Sequence, residues 1–297
     1  MAEWSIALVL KTSKGQPFVS SNLTASAIVR TGLCSSGATV IGAADLAARI
    51  DRVAALVASA RRLLFITGAG ISADSGLPTY RGIGGLYDRE LTDEGLRIEE
   101  ALSGEVFAAF PEVTWKYLAQ IEEACRGVAP NAAHRAMARI ERERPGSLVL
   151  TQNIDGLHRR AGSFNLIEIH GNLQNLACTS CHFRTYCPTL EGWEIPPHCP
   201  ECDAVLRPAV VLFGEALPSG AMDRFLDAFE AGFDAVFSIG TSSAFQYIAQ
   251  PVLWAARRGI PTVEINPGET VLSGIVDTRI PLGAAAAMTA LIESLEW

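Results

Sequence analysis

The chain has 297 residues, of which 49% are apolar, and its 24 basic and 32 acidic side chains give a formal net charge of -8 at pH 7. This length suffices for one large core, or for a main domain with an inserted module. The acidic balance argues against nucleic acid as the main ligand, because phosphate binding needs a basic surface. No apolar run approaches the ~20 residues that span a bilayer, and residues 6–10 are too short a run for a signal-peptide core. We therefore expect a cytoplasmic protein with no membrane partner; the oligomeric state is left open.

Residues 1–44 lack the patterns of the rest of the chain, with scattered Ser, Thr and Gly and no helical period. Lys11, Lys14 and Arg30 against the single acid Glu3 weakly resemble a transit peptide. Non-native sequence upstream of the true start codon is the alternative. We expect 1–44 to be an extension, disordered or not native, and 45–297 to be the folded domain.

The first strong pattern is the stretch 63–81, LLFITGAGISADSGLPTYR, which a helical repeat at 45–57 precedes. Its first five residues predict a buried strand that runs into Gly68-Ala69-Gly70. A backbone without Cβ can approach a diphosphate closely, and the amides that follow can face phosphate oxygens at a helix start. A tight turn between a strand and a helix is the alternative. The polar residues that follow, Ser72 among them, do not fit a simple crossover helix.

Two further predicted strands end in polar side chains. Residues 147–151 run into Gln152-Asn153-Ile154-Asp155, and residues 166–170 end in His170. Open α/β sheets bind ligands at the carboxyl ends of their strands, and a histidine there is a candidate general base because its pKa lies near neutrality. The alternatives are that Asn153 and Asp155 cap the next helix and that His170 is structural.

Four of the seven cysteines form two C-x-x-C pairs separated by seventeen residues, namely Cys178, Cys181, Cys199 and Cys202. Two such pairs typically hold one tetrahedral zinc ion. A closed shell of four thiolates leaves no position for water, so we expect one structural Zn²⁺ and a reducing compartment. Cys187, His182 and His198 are nearby donors that could replace one ligand.

The second half repeats the pairing of a strand with a glycine turn. Residues 205–214 are extended and apolar, residues 233–239 run into Gly240-Thr241-Ser242, and residues 261–265 run into Asn266. An extended segment that ends in glycine could accept a peptide by edge pairing. Strands that alternate with helices predict an α/β fold with a doubly wound, mostly parallel sheet.

These motifs together resemble the sirtuin family. The matching segments, in the family's order, are GAGIS (68–72), SGLPTYR (75–81), TQNIDGLH (151–158), HG (170–171), CTSC (178–181), CPEC (199–202), FGEALP (213–218), GTS (240–242) and IN (265–266). The resemblance covers about residue 45 to the C-terminus. It implies a Rossmann-like large domain with a helical and loop insert at about 82–128 and a small zinc module at about 176–207. It also implies NAD-dependent removal of an acyl group from a lysine of a protein or peptide, with the acyl group passing to ADP-ribose and nicotinamide being released.

The resemblance also assigns roles to residues. It implies His170 as the general base on the ribose hydroxyls and Asn153 as a second catalytic residue. The implied NAD contacts are Gly68, Ala69, Gly70, Ser72, Tyr80, Arg81, Gln152, Asn153, Ile154, Asp155, Gly240, Thr241, Ser242, Asn266 and Ala284. The implied contacts to the peptide and its acyl group are Tyr117, Gln120, Val211, Phe213, Gly214 and Glu215. The substrate oxygen is the nucleophile in this reaction, so the protein needs to supply positioning and one base.

Two positions depart from the family's pattern. Tyr80 stands where the family usually has Phe, which adds a hydroxyl to the nicotinamide pocket. Sirtuins that remove succinyl or malonyl groups carry a Tyr and an Arg three residues apart, and here Tyr117 is followed by Gln120. A buried carboxylate without its cation would cost several kcal/mol. We therefore expect neutral acyl groups, acetyl first.

Two other functions use the same cleft. One is mono-ADP-ribosyl transfer or plain NAD hydrolysis, which has less need of a base on the ribose hydroxyls than deacylation has. The other is a non-catalytic module that binds NAD or ADP-ribose and a peptide. The presence of His170 favours deacylation over both, because a binding module has no need of a base.

Overall fold

The computed structural model describes residues 42–78 and 91–295, and all structural statements below refer to these ranges. Six parallel strands form the main sheet, in the order β3-β2-β1-β7-β8-β9, and three antiparallel strands form a second sheet, in the order β5-β4-β6. The nine strands are β1 (Leu63–Thr67), β2 (Leu148–Thr151), β3 (Leu166–Glu168), β4 (Gly171–Cys178), β5 (Arg184–Tyr186), β6 (Leu206–Val210), β7 (Ala235–Ile239), β8 (Thr262–Ile265) and β9 (Thr278–Ile280). The predicted α/β fold with a parallel, doubly wound sheet is confirmed, with a small antiparallel insert.

Ten helices lie in the described ranges, and the helical repeat predicted at 45–57 is confirmed as part of α1. They are α1 (Ala43–Ser59), α2 (Gly70–Ala73), α3 (Ile98–Ala101), α4 (Gly104–Ala109), α5 (Pro111–Cys125), α6 (Ala132–Glu143), α7 (Leu157–Arg160), α8 (Ser219–Glu230), α9 (Gln246–Arg257) and α10 (Ala284–Glu293). None of the helices in these ranges is long and apolar enough to cross a membrane. The predicted extension at 1–44 falls, except for its last three residues, outside the described residues.

Strand β1 lies near the centre of the main sheet, between β2 and β7. All five of its residues are therefore buried. Its side chains alternate between two cores, as the period of a strand requires. Leu63 and Phe65 face a core that α1, α6 and α10 cover, whereas Leu64 and Ile66 face a core that α8 and α9 cover. Helices on both faces explain why the strands of this sheet are apolar throughout rather than amphipathic.

A third core lies beside the small sheet and is separate from the two cores of the main sheet. It joins α3, α4 and α5 to β4 and β6. Trp115 of α5 is fully buried there, and its indole Nε1 donates a hydrogen bond to the Leu206 carbonyl at 2.8 Å. The small sheet and these helices therefore pack as one unit, which agrees with the predicted insert and zinc module; their boundaries at 82–128 and 176–207 stay predictions.

Asn131 connects α6 to the glycine turn after β1. Its Oδ1 accepts a hydrogen bond from the amide of Ala133 at 2.9 Å, so Asn131 is the N-cap of α6. Its Nδ2 donates to the Ile71 carbonyl at 2.7 Å and to Ser75 Oγ at 2.9 Å. The cap thus also holds the chain just after the turn, which periodicity does not reveal.

Two buried histidines pack behind the main sheet's carboxyl edge. His134 and His158 are 0% and 2% exposed, and their ring centroids lie 4.8 Å apart. His158 Nε2 lies 3.0 Å from Thr67 Oγ1. Burial lowers the pKa of His134 to about 4 and lowers that of His158 well below its usual range. Both imidazoles are therefore neutral in the folded protein at pH 5 to 7.

We expect these two histidines to make the folded protein sensitive to acid. The unfolded chain takes up protons below about pH 6.5 while the folded chain does not, so stability that is present above that pH is lost as the pH falls. Each histidine should lower the free energy of unfolding by about 2 kcal/mol between pH 7 and pH 5. Urea titrations at both values measure this loss. His134→Gln should make it smaller by about 2 kcal/mol, whereas the same change at exposed His182 should not; an unchanged loss in His134→Gln would contradict the prediction.

Candidate active site

The loops after β1 and β7 meet at the carboxyl edge of the main sheet, where the strand order reverses. β1 lies between β2 and β7 and pairs in parallel with both. The amide of Gly68 donates to the Ile239 carbonyl at 3.2 Å, and the amide of Gln152 donates to the Thr67 carbonyl at 3.0 Å. Ligands bind at such a reversal in open α/β sheets, so this crevice is the candidate site.

Glycine is required where the two loops cross. A Cβ built on Gly70 would lie 2.7 Å from the Gly240 carbonyl oxygen, and one on Gly240 would lie 2.3 Å from the Ile71 nitrogen. Gly240 also has a φ of +58°, which L side chains rarely adopt. The glycines at 70 and 240 are therefore explained by contact between two backbones, a reason that the sequence pattern does not reveal.

The amides of this turn are mostly used within the protein. That of Gly70 donates to the Gly240 carbonyl at 2.8 Å, and those of Ile71 and Ser72 donate to Gly68 and Ala69 at 3.1 and 3.0 Å. The prediction that the amides after the turn face phosphate oxygens is therefore wrong for these three. Within residues 68–72, only the amide of Ala69 has no backbone acceptor among the described residues.

The side chains after β2 form a buried network with the turn. Ser72 Oγ donates to Asp155 Oδ2 at 2.7 Å, and Asn153 Nδ2 donates to Ser72 Oγ at 3.2 Å and to the Gly68 carbonyl at 3.1 Å. Asp155 Oδ1 accepts from the amide of Leu157 at 2.8 Å, so this carboxylate also holds the start of α7. Asp155 thus fits both interpretations, as a residue that holds the start of the next helix and as a member of a polar site, whereas the Asn153 side chain bonds to Gly68 and Ser72 instead.

Burial raises the pKa of Asp155, against the hydrogen bonds from Leu157 and Ser72, which lower it. The Asp155 residue is 9% exposed and lies at the crevice. A carboxyl group with a raised pKa in a cleft is typical of a functional site.

A second set of hydrogen bonds joins the loops after β2, β7 and β8. Gln152 Nε2 donates to Thr241 Oγ1 at 2.9 Å, and Asn266 Nδ2 donates to the Thr241 carbonyl at 3.1 Å. Thr241 is buried, whereas its neighbour Ser242 is exposed at the loop tip. Three loops that are distant in sequence therefore meet at one edge of the sheet, where a single ligand can contact all of them.

Four predicted NAD contacts remain, and two of them lie in the described residues. Ile154 is half-buried beside the third core, and Ala284 is buried at the first position of α10. Tyr80 and Arg81 lie outside the described residues.

His170 lies just beyond the end of β3, and its imidazole is fixed from two sides. Its Nδ1 lies 2.9 Å from the Gln152 carbonyl oxygen, and its Nε2 lies 2.6 Å from the Tyr247 hydroxyl. Burial lowers the pKa of His170 to about 4, although the hydrogen bond to Gln152 raises it. The ring is therefore neutral at neutral pH and can accept a proton, as a general base must.

The segment 211–215 is attached to the same histidine. The amide of Val211 donates to the His170 carbonyl at 2.9 Å, and the backbone N–H and C=O of Phe213 are engaged by Leu102 and Gly104. Glu215 forms a bidentate ion pair with Arg207, at 2.8 and 2.9 Å. In the part of the chain that the structure describes, no donor reaches the Val211 carbonyl and no acceptor reaches the amide of exposed Gly214.

The predicted acyl-group residues of α5 differ in position. Tyr117 is buried in the third core together with Ile154 and Phe213, whereas Gln120 is exposed. The Tyr117 hydroxyl donates to Glu94 Oε2, and Lys116 Nζ lies 2.7 Å from the other oxygen of Glu94. The hydrogen bonds from Lys116 and Tyr117 lower the pKa of Glu94 to about 2, so a permanent carboxylate stands beside Tyr117.

The four predicted cysteines come together at one end of the small sheet. Their sulfur atoms all lie within 4.8 Å of one another, with 3.4 Å between Cys178 and Cys202 and 3.6 Å between Cys181 and Cys199. Four sulfurs about 2.3 Å from one zinc ion would be about 3.8 Å apart, so the donor set fits a tetrahedral Zn²⁺. The amide of Cys181 lowers the pKa of Cys178 to about 6, which favours the thiolate that a metal requires.

The alternative donors are excluded from this cluster. Cys187 is buried and its thiol donates to the Thr189 carbonyl at 2.8 Å, whereas His198 Nδ1 lies 2.6 Å from the Asp203 carbonyl oxygen. His182 is exposed, and the cluster contains only the four cysteines among the described residues. The metal would therefore stabilise the small sheet. With four cysteine ligands it would have no coordination position left for water or substrate.

Two residues of the site were not predicted, Tyr247 and Glu94. Tyr247 follows the glycine turn after β7 by seven positions and carries no motif, and Glu94 lies in a loop rich in acids. Only the packing of α9 against β7 and β8, and of the loop against α5, brings them to His170 and Tyr117. No signal in the sequence would have identified either one.

Comparisons with known proteins agree with this geometry. Residues 68–246 match the model of the Sir2 family. The chain is 50% identical over 235 residues to "NAD-dependent protein deacylase 2" of Pseudomonas aeruginosa. This match covers 78% of this chain and 91% of that protein. A solved Sir2 homologue in complex with NAD superposes with a TM-score of 0.73 at 38% identity, over 82% of this chain and 93% of that one.

A solved Sir2 protein with a deacetylated p53 peptide and 3'-O-acetyl ADP-ribose superposes with a TM-score of 0.73 at 28% identity. The match covers 82% of this chain and 97% of that one.

Proposed function

The chain belongs to the Sir2 family and is an NAD-dependent protein deacylase; on that premise, we propose that its NAD site is the crevice at the carboxyl edge of the main sheet and that His170 is its general base. NAD supplies the ribose that receives the acyl group, and nicotinamide is the group that leaves. The observation that carries this proposal is the geometry of His170. Its neutral imidazole lies at the end of β3, held by the Gln152 carbonyl and next to the network of Asn153, Ser72 and Asp155.

We propose that the loops after β1, β2, β7 and β8 divide NAD between them. The amide of Ala69 is the donor of the glycine turn that remains for the diphosphate, because the amides of Gly68 and Gly70 are engaged. Asn153 and Asp155 hold the nicotinamide half, with Gln152 and Ile154 beside them. The adenosine half is held by the predicted contacts on the loops after β7 and β8 and at the start of α10, which are Gly240, Thr241, Ser242, Asn266 and Ala284.

The peptide substrate is proposed to pair with the backbone of 211–215. Because Phe213 already uses both of its backbone groups, the pairing narrows to the Val211 carbonyl and the amide of Gly214. Val211 also bonds to the His170 carbonyl, so a peptide on this segment would place its acyl-lysine near the base. Glu215 would keep the segment in shape through its ion pair with Arg207 rather than touch the peptide.

Nicotinamide release tests the activity. With NAD and an acetyl-lysine peptide, we expect release of nicotinamide together with one deacetylated peptide and one acetyl-ADP-ribose, all measurable by mass spectrometry. Without the peptide, release should be close to background. Release that does not depend on the peptide would indicate NAD hydrolysis, ADP-ribose on protein would indicate ADP-ribosyl transfer, and no release would indicate a binding module.

Neutral acyl groups are the proposed preference, acetyl first. The carboxylate of Glu94 beside Tyr117 would repel a succinyl carboxylate, and exposed Gln120 supplies no cation to hold it. We expect kcat/KM for an acetyl peptide to exceed that for a succinyl peptide. Glu94→Gln should raise the succinyl-to-acetyl ratio about tenfold, which corresponds to roughly 1.4 kcal/mol.

Glu112→Gln is the matched control for this ratio, because Glu112 is an exposed acid on α5 outside the site. It should leave the ratio unchanged. A wild-type protein that prefers the succinyl peptide, or a Glu94→Gln protein with the wild-type ratio, would contradict the proposed acyl preference.

A further inference from the structure

Both ring nitrogens of His170 are engaged. A carbonyl oxygen can only accept, so His170 Nδ1, at 2.9 Å from the Gln152 carbonyl, must carry the proton of the neutral ring. Nε2 is then the acceptor, and the Tyr247 hydroxyl donates to it at 2.6 Å. The lone pair that would take a proton from the substrate therefore already holds the hydrogen of a tyrosine.

Tyr247 is held firmly in this position. It lies in the first turn of α9, is 6% exposed, and its ring stacks on Phe245 with centroids 5.5 Å apart and an angle of 22°. The His170 ring is nearly perpendicular to both rings, and its centroid lies 6.0 Å from that of Tyr247 and 6.1 Å from that of Phe245. Burial raises the pKa of Tyr247, so the phenol stays protonated across the working pH range.

This contact decides how a proton can reach His170. A ribose hydroxyl could bond directly to Nε2 only by displacing the Tyr247 hydroxyl, which would then have to find another acceptor at a buried position. A hydroxyl is both a donor and an acceptor. The Tyr247 oxygen can therefore accept a hydrogen bond from the substrate while its own hydrogen points at Nε2.

We propose that Tyr247 is a catalytic residue that relays the proton of a substrate ribose hydroxyl to His170. The ribose O–H bond breaks and its proton binds the phenol oxygen, while the phenol O–H bond breaks and its proton binds Nε2. His170 ends as the imidazolium and Tyr247 ends as a neutral phenol. The ribose oxygen keeps the electron pair with which it bonds to the acyl carbon, while the π electrons of that carbon's double bond move onto the atom bonded to it. This inference rests on the proposed function, in which His170 is the base.

Tyr247→Phe tests the relay, because it removes one oxygen atom and keeps the stacked ring. Two rates are measured with NAD and an acetyl peptide: formation of acetyl-ADP-ribose, and exchange of labelled nicotinamide into NAD, which needs no base on the ribose. We expect the first rate to fall 10- to 100-fold, the second to stay within twofold, and KM for NAD to stay within twofold. Tyr186→Phe, at a position 63% exposed on β5, is the matched control and should change neither rate.

Equal deacylation in Tyr247→Phe and wild type would overturn the relay, and so would a faster rate, since the hydroxyl would then only block the base. An equal fall of exchange and deacylation would overturn it too, since that result indicates a structural role. Inactive wild-type protein would instead overturn the proposed function.

A second measurement on unaltered protein does not depend on the folding of any variant. In single turnovers in mixtures of H₂O and D₂O, two protons in flight should give a curved dependence of the deacylation rate on the deuterium fraction. A linear dependence, from one proton in flight, would overturn the relay.

Discussion

Replacing His170 by alanine should reduce acyl removal about 10²- to 10⁴-fold, the usual contribution of a general base. The physical reason is that the neutral imidazole beyond β3 would take the ribose proton, and burial keeps its pKa near 4. Binding of NAD should change far less, because the predicted contacts lie mainly on the loops after β1, β2, β7 and β8. Deacylated peptide and acyl-ADP-ribose are quantified by mass spectrometry, and the dissociation constant of NAD by calorimetry.

His182→Ala is the control for this experiment. It removes an exposed imidazole outside the crevice and should leave the rate unchanged. Thermal unfolding of both variants establishes that the fold is retained. If His170→Ala kept the rate within threefold of wild type, the assignment of His170 as the base would be wrong, whereas the family and the fold would stand.

The second large effect is expected from the loss of the metal. Cys199→Ser, at a position 3% exposed, should lower the zinc content from one ion per chain to nearly none and abolish deacylation. Zinc contributes ~10–16 kcal/mol to small metal-folded peptides, which is as large as the ~5–15 kcal/mol that stabilises a whole domain. Without zinc the small sheet should lose its fixed structure. Metal analysis, near-UV circular dichroism and the deacylation rate measure the three consequences.

Cys187→Ser is the matched control, because Cys187 is also buried but bonds to the Thr189 carbonyl outside the cluster. A serine can keep that hydrogen bond, so this variant should retain one zinc ion and the wild-type rate. The four-cysteine assignment would fail if Cys199→Ser still held a full equivalent of zinc, or if Cys187→Ser lost it.

The zinc ligands were predictable because their spacing is local. Each C-x-x-C loop places two sulfurs on one short turn, so only the meeting of the two loops depends on the fold. The structure then decided between the four cysteines and the neighbouring donors, because Cys187 and His198 bond to backbone carbonyls within a few residues of themselves.

The glycine turn was predictable as a turn but not in its detail. A buried strand followed by Gly68-Ala69-Gly70 predicts a tight connection at the sheet edge, and the structure confirms it. The reason for Gly70 lies 170 residues away, at Gly240, whose carbonyl also takes the amide that was expected to face a phosphate. A contact between two distant backbones leaves no periodic trace in either segment.

By itself the sequence determined the strands, the alternation that makes the sheet parallel, the metal ligands and the motifs that lead to His170. These depend on short-range regularities: apolar runs, glycine turns and pairs of donors at fixed spacing. Only the tertiary structure decided what surrounds these groups, such as Tyr247 on Nε2 of His170 and Glu94 at the Tyr117 hydroxyl. A side chain's hydrogen-bond partner and its burial are set by elements that pack together from distant parts of the chain. The hydrogen-bond partners and the burial in turn set the pKa of a base and the charge of a pocket. Those chemical properties therefore belong to the fold rather than to any motif.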